Sequence, residues 1–141
     1  MLVQLLYASR AAADTTPATV SVILQQARLR NPPEGITGVL CHGDRYFLQL
    51  LEGGREQVNR LFSRIQRDSR HTDVVLLHYA EITERRYAAW TMGQTNLDRL
   101  NPATLLRYSA LPVFDPFQLP GSSSMALVDE LIASASVLGR A

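Results

Sequence analysis

Residues 35–53, GITGVLCHGDRYFLQLLEG, constrain the fold more than any other stretch of the chain. They read as two strands, 36–42 and 45–51, joined by a two-residue Gly43-Asp44 loop of the primed type. One residue breaks the pattern. Gln49 stands among Tyr46, Phe47, Leu48, Leu50 and Leu51, where a strand should carry apolar side chains. Alternation along the strand sets Phe47, Gln49 and Leu51 on one face and Tyr46, Leu48 and Leu50 on the other. Both faces are apolar, so both should be covered. A primary amide under such cover costs roughly 1–3 kcal/mol unless it is hydrogen-bonded. Gln49 therefore needs a polar partner, and finding that partner is the functional question.

The hairpin sits within a regular alternation of elements. Residues 2–8 read as a first strand. Thr16-Pro17 then starts a helix, with Thr as N-cap and Pro in the first turn. Val20, Ile23, Leu24 and Ala27 recur at helical spacing, so the helix covers 17–30. Asn31-Pro32-Pro33 ends it, because the residue before a proline is driven extended. After the hairpin, Val58, Leu61, Phe62 and Ile65 mark a second helix over 55–67. Residues 74–79 are a continuous apolar run, expected as a central strand. A last strand over 87–95 sets Trp90 and Met92 on one face.

The order is βαββαββ, an α+β, ferredoxin-like sheet with both helices on one face. The other face is left for the C-terminal third. There a short helix is expected near 102–107, a Pro/Gly/Ser-rich connector over 112–124, and an amphipathic helix from Met125 to Leu138. With 141 residues, 46% of them hydrophobic, one compact core is expected.

Bulk charge excludes two classes of partner. Fourteen basic residues, all Arg, face 13 acidic ones for a net charge of +1, which gives no electrostatic case for nucleic acid or a membrane surface. No run of 18 apolar residues is present, and the N-terminus lacks a basic region followed by a long apolar one, so the expected location is cytoplasmic. Cys41 is the single cysteine. His42, His71 and His78 lack metal-ligand spacing, and no nucleophile–base order or phosphate-binding loop is present. On these residues an enzyme is not expected.

One constellation is geometric. Tyr7 lies on the first strand and Gln49 on the third, and these strands are neighbours at the centre of a ferredoxin-like sheet. Alternation allows both side chains to face the helices, where phenol and amide can satisfy each other. An ordinary buried polar pair fits this geometry equally well. Asn31 reads first as a helix-end residue, and Ile23 and Ile65 as plain core.

Taken together, the residues resemble the BLUF domain, a blue-light sensor that uses flavin. The matching positions are Tyr7 with Ser9, Asn31, Ile36-Thr37-Gly38, Phe47-Leu48-Gln49 with Leu51-Glu52-Gly53, Asp68-Ser69-Arg70-His71, Arg86-Tyr87, and Trp90-Thr91-Met92. The resemblance covers residues 1–95. It implies a non-covalent flavin between the two helices, usually FAD, flanked by Ile23 and Ile65. Asn31 would bond the C4=O/N3–H edge, with Arg70 and His71 near the C2=O side or the ribityl chain. Gln49 would bridge Tyr7 and the N5/O4 edge, which supplies the missing partner. Arg30 before Asn31, the Pro32-Pro33 pair and the length of the 11–16 loop depart from the family pattern, so FMN and riboflavin stand beside FAD.

Family behaviour implies electron donation by Tyr7, proton movement through Gln49, and a Gln49 left rotated or tautomerised in a red-shifted state that decays in the dark. Tyr7, Gln49, Trp90 and Met92 are the expected photoactive residues. Residues 1–97 would be the sensor domain and 98–141 a helical extension packed on the sheet or at an oligomer interface. With no cyclase, phosphodiesterase or DNA-binding domain in the sequence, output is expected through an unidentified partner protein or a homo-oligomer. Two other readings are an interaction module of the same fold without flavin, and an acylphosphatase-like enzyme. The latter would need an Arg-bearing glycine-rich phosphate loop, which the chain lacks.

Overall fold

A computed structural model describes residues 1–134 and, as backbone alone, 138–140. Its strands are β1 (Leu2–Ala11), β2 (Thr37–His42), β3 (Tyr46–Gly54), β4 (His71–Ile82), β5 (Trp90–Asn96) and β6 (Leu138–Arg140). Its α-helices are α1 (Pro17–Arg30), α2 (Arg55–Gln66), α3 (Pro102–Leu106) and α4 (Gly121–Ala133). The strands form one sheet in the order β4-β1-β3-β2-β5-β6. All neighbouring pairs are antiparallel except β2 with β5. Up to β5 this is the expected α+β ferredoxin-like order.

Helix α1 begins where the sequence places it. The Thr16 hydroxyl accepts from the Thr19 amide, and the Thr19 hydroxyl accepts from the Thr16 amide. Two N–H groups with no partner inside the helix are thereby satisfied. The sheet divides two cores. One face packs Val3, Leu5, Tyr7, Leu40, Phe47, Leu51 and Met92 against Val20 and Leu24 of α1 and Val58 of α2. The other packs Leu6, Ala8, Val39, Cys41, Leu48 and Leu50 against Leu105, Phe114, Met125, Leu127, Val128 and Leu131 from the C-terminal third. Both faces of the hairpin are covered, as its composition requires.

Four expectations are corrected. The hairpin turn is not centred on Gly43-Asp44. The Gly43 amide donates to the Tyr46 carbonyl, so Asp44 and Arg45 are the central residues. Neither has a positive φ, so the turn is not of the primed type. The Asp98 carboxylate accepts the Asp44 amide at 2.7 Å and holds the turn from outside. Second, β4 is an edge strand, with Val75 and Leu76 41% and 49% exposed. A continuous apolar run does not by itself distinguish a central strand from an edge. Third, α4 ends at Ala133, and Leu138 starts β6. Residues 135–137 of the expected helix lie outside the described residues.

The fourth correction bears on function. Trp90 and Met92 do not share a face: Trp90 belongs to the C-terminal core and Met92 to the α1–α2 core. Between β2 and β5 the register jumps, with Gly38 opposite Thr91 and Val39 opposite Gly93. Met92 is the extra residue of a β-bulge, which breaks alternation at that point. Its φ is +131°, far from ordinary strand backbone. Gly38 lies beside the bulge, where a Cβ would stand 1.9 Å from the Leu50 carbonyl oxygen. Gly38→Ala is therefore expected to destabilise the fold by about 1–3 kcal/mol through overpacking, read as a lower urea midpoint.

Candidate functional site

A cleft of about 290 Å³ opens between α1 and α2 above the centre of the sheet. Tyr7, Leu40, Phe47 and Gln49 form its floor. Ile23 and Ala27 line it from α1, and Leu61 and Ile65 from α2. Asn31, Arg70 and His71 also line it, so every residue expected at a ligand is gathered in one place. Of the expected photoactive residues, Tyr7 and Gln49 line the cleft, Met92 reaches it only through its contact with Gln49, and Trp90 is turned to the opposite core by the Met92 bulge.

At the floor, Tyr7 and Gln49 are directly opposed across the β1–β3 pairing. The Tyr7 hydroxyl donates to Gln49 Oε1 at 2.5 Å. Burial, reinforced by the Asp68 carboxylate, holds the Tyr7 phenol far above the usual tyrosine range, so it remains a protonated donor. Gln49 Nε2 in turn donates to Met92 Sδ at 3.3 Å. Each end of the amide thus has a partner of the right polarity, since a thioether sulfur only accepts. A flipped amide would set an N–H against the Tyr7 hydroxyl and an oxygen against sulfur. The amide still holds a second N–H, available to an acceptor in the cleft.

The walls are fixed by polar contacts at the rim. Asp68 Oδ1 and Oδ2 receive the Arg70 guanidinium at 2.6–3.1 Å, and Asp68 Oδ1 also takes the Arg70 amide at 2.9 Å. Those bonds hold the Asp68 carboxyl below its ordinary range. Arg70 reaches across to Gln26 Oε1 of α1 at 3.1 Å. His71 Nε2 lies 2.5 Å from the Ile65 carbonyl and Nδ1 lies 2.7 Å from the Ser9 hydroxyl. A carbonyl only accepts, so Nε2 carries the proton, and in the neutral ring the Ser9 hydroxyl donates to Nδ1. His71 thereby ties β4 to β1 and to the end of α2. The Asn31 carbonyl accepts the Glu34 and Ile36 amides, which anchors its backbone independently of its side chain.

The family model described as sensors of blue-light using FAD matches residues 2–93. The chain belongs to the BLUF family. A photoactivated adenylate cyclase subunit beta of Euglena gracilis is 40% identical over 100 residues, covering 70% of this chain and 12% of the relative. The BLUF chain therefore spans about an eighth of the length of such relatives. Among solved structures, the BlsA photo-activated state is similar with a TM-score of 0.82 and 32% identity, covering 94% of this chain and 95% of that one. The dark state of BlrB, a BLUF protein, gives 0.79 and 30%, covering 95% and 96%. Klebsiella pneumoniae BlrP1 with FMN and cyclic diGMP gives 0.70 and 32%, covering 96% of this chain and 35% of that one.

Some lining residues of this BLUF domain escape a sequence reading. Gln26 and Arg30 follow Ile23 at helical spacing, so the α1 stripe carried the signal. Leu40, Leu61, Arg64 and Arg67 read only as core or surface. Asp68 was visible as part of a motif, but its clamp on Arg70 was not. Among the described residues, no group of His, Cys, Asp and Glu is placed to hold a metal ion, and no helix is long and apolar enough to cross a membrane.

Proposed function

We propose that this BLUF domain binds a flavin non-covalently between α1 and α2 and works as a blue-light switch. The observation that carries the reading is the hydrogen-bonded chain Tyr7–Gln49–Met92 at the floor of a slot between Ile23 and Ile65. A flat aromatic ring suits such a slot because it buries a large apolar area between apolar walls. Asn31 would bond the ring edge in plane, and Arg70 and His71 would lie near the C2=O side or the ribityl chain.

The bound flavin would supply blue-light absorption and an excited state open to reduction by a nearby donor. The protein's part follows from its own atoms. Tyr7 is the oxidisable group at the floor, and its proton has a direct path to Gln49 Oε1. Gln49 can then settle rotated or tautomerised, with a changed set of partners. Rotation sets its oxygen toward Met92 Sδ, two acceptors in contact, so the original arrangement is favoured once light is removed. Trp90 would act from the far core, where it shares a cluster with Met125 and Val128. Residues 98–141 would carry the change to a partner protein or a second copy, with the domain acting in the cytoplasm.

Arg30, Arg64 and Arg67 line the mouth of the cleft, where guanidinium groups suit phosphate oxygens. This favours FAD or FMN over riboflavin. The test is equilibrium dialysis of the purified chain with each flavin. FAD or FMN should bind more tightly than riboflavin, and failure to retain any flavin would overturn the reading. Asn31→Ala removes two expected in-plane bonds. It should raise Kd by roughly 5- to 150-fold, from about 0.5–1.5 kcal/mol for each bond. Wild-type occupancy after dialysis of that variant would remove Asn31 from the site.

A further inference from the structure

The bulge at Met92 carries an inference about a residue outside the cleft. An extra residue in a β-bulge leaves the ladder locally unpaired, and its carbonyl needs another donor. Here the Arg28 guanidinium supplies it: Nη2 and Nε donate to the Met92 carbonyl at 3.1 and 3.3 Å. Arg28 lies on α1, the helix that brings Ile23, Ala27 and Asn31 to the cleft. The same Met92 places its sulfur against Gln49 Nε2. Its backbone, at φ +131°, is one that a side-chain-bearing residue holds only under constraint.

We propose that Arg28 is a positioning residue that pins the β5 bulge to α1 and so keeps the Met92 sulfur at the Gln49 amide. Its guanidinium touches neither the amide nor the expected ring position, so it acts through the backbone carbonyl it holds. This rests on the switch reading given above and adds a regulatory contact to it. The rate at which Gln49 returns to its dark orientation depends on an acceptor at Met92, and that acceptor stays in place because Arg28 holds the strand. The link also joins the helix that walls the cleft to the strand that continues toward the C-terminal core.

Arg28 is exposed, so Arg28→Met keeps the aliphatic stem and opens no core cavity. Arg28→Lys keeps one charged donor. The first readout needs no light. In dark amide hydrogen exchange on the full chain, Arg28→Met should exchange about tenfold faster than wild type at residues 91–94 while β1 and β3 are unchanged. Arg28→Lys should restore part of the protection. The second readout is the dark return of the red-shifted state in a double-mutant cycle. Met92→Leu should change the return rate several-fold in wild type, and by less than about twofold in the Arg28→Met background. Unchanged exchange at 91–94, or the same fold-change from Met92→Leu in both backgrounds, none included, overturns the proposal. If flavin-bound wild type shows no reversible red shift, the switch reading fails, and the exchange experiment alone decides the role of Arg28.

Discussion

Gln49→Leu is expected to retain flavin and to lose the red-shifted photoproduct entirely. Leu has nearly the volume of Gln and suits a floor shared with Leu40 and Phe47, so the slot keeps its shape. What disappears is a group that accepts from Tyr7 on one side and donates to Met92 on the other. Among the described residues no other side chain joins those two partners, so no second hydrogen-bonding state is left for light to populate. Stability should fall, but the fold should persist. The substitution removes a buried amide with its bonds, although the Tyr7 hydroxyl then loses its acceptor, at about 1–3 kcal/mol. Absorption spectra of the variant before and after blue light are the check. A normal, reversible red shift in Gln49→Leu would remove Gln49 from the photocycle.

Tyr7→Phe should keep the fold and the yellow colour while the yield of photoproduct collapses. Phe preserves the tilted ring packing against Phe62, 5.7 Å between centroids. It removes the phenol, which is both the oxidisable group and the source of the proton donated to Gln49. Burial and the Asp68 charge hold that phenol protonated, so raising the pH through the neutral range should not mimic the substitution. Gln49 loses one partner, a net effect near 1 kcal/mol, too little to unfold a domain of this size. Photoconversion yield at fixed light dose reads the effect directly. An unchanged yield would mean that another donor serves. Trp90 is a poor candidate because it lies in the opposite core.

The Tyr7–Gln49 pair was legible in the sequence for a physical reason. A single amide in an apolar strand demands a partner, and alternation with the strand order leaves few positions that can supply one. The helix stripes of Ile23 and Ile65 and the Thr16 cap were legible on the same local grounds. Met92 was only half legible. It was expected among the photoactive residues, but strict alternation placed Trp90 on the same face, and nothing in Trp90-Thr91-Met92-Gly93 announces a bulge. Its surroundings are tertiary: Gly38 of β2 lies opposite the register jump, and the Arg28 guanidinium of α1 bonds the Met92 carbonyl. Arg28 reads in the sequence as an ordinary exposed helix position. The hairpin turn escaped for a similar reason, since the Asp98 carboxylate that holds it is 54 residues away in the chain. The edge position of β4 was hidden because an apolar run looks the same at either place in a sheet.

The most direct test of the central claim is the absorption spectrum of the purified full chain, recorded in darkness, under steady blue light and again in darkness. A flavin-based switch is expected to give a yellow protein whose flavin bands move to longer wavelength in the light, without loss of intensity, and return in the dark with no added reductant or oxidant. A colourless protein, or flavin bands that bleach or stay in place under blue light, would contradict it.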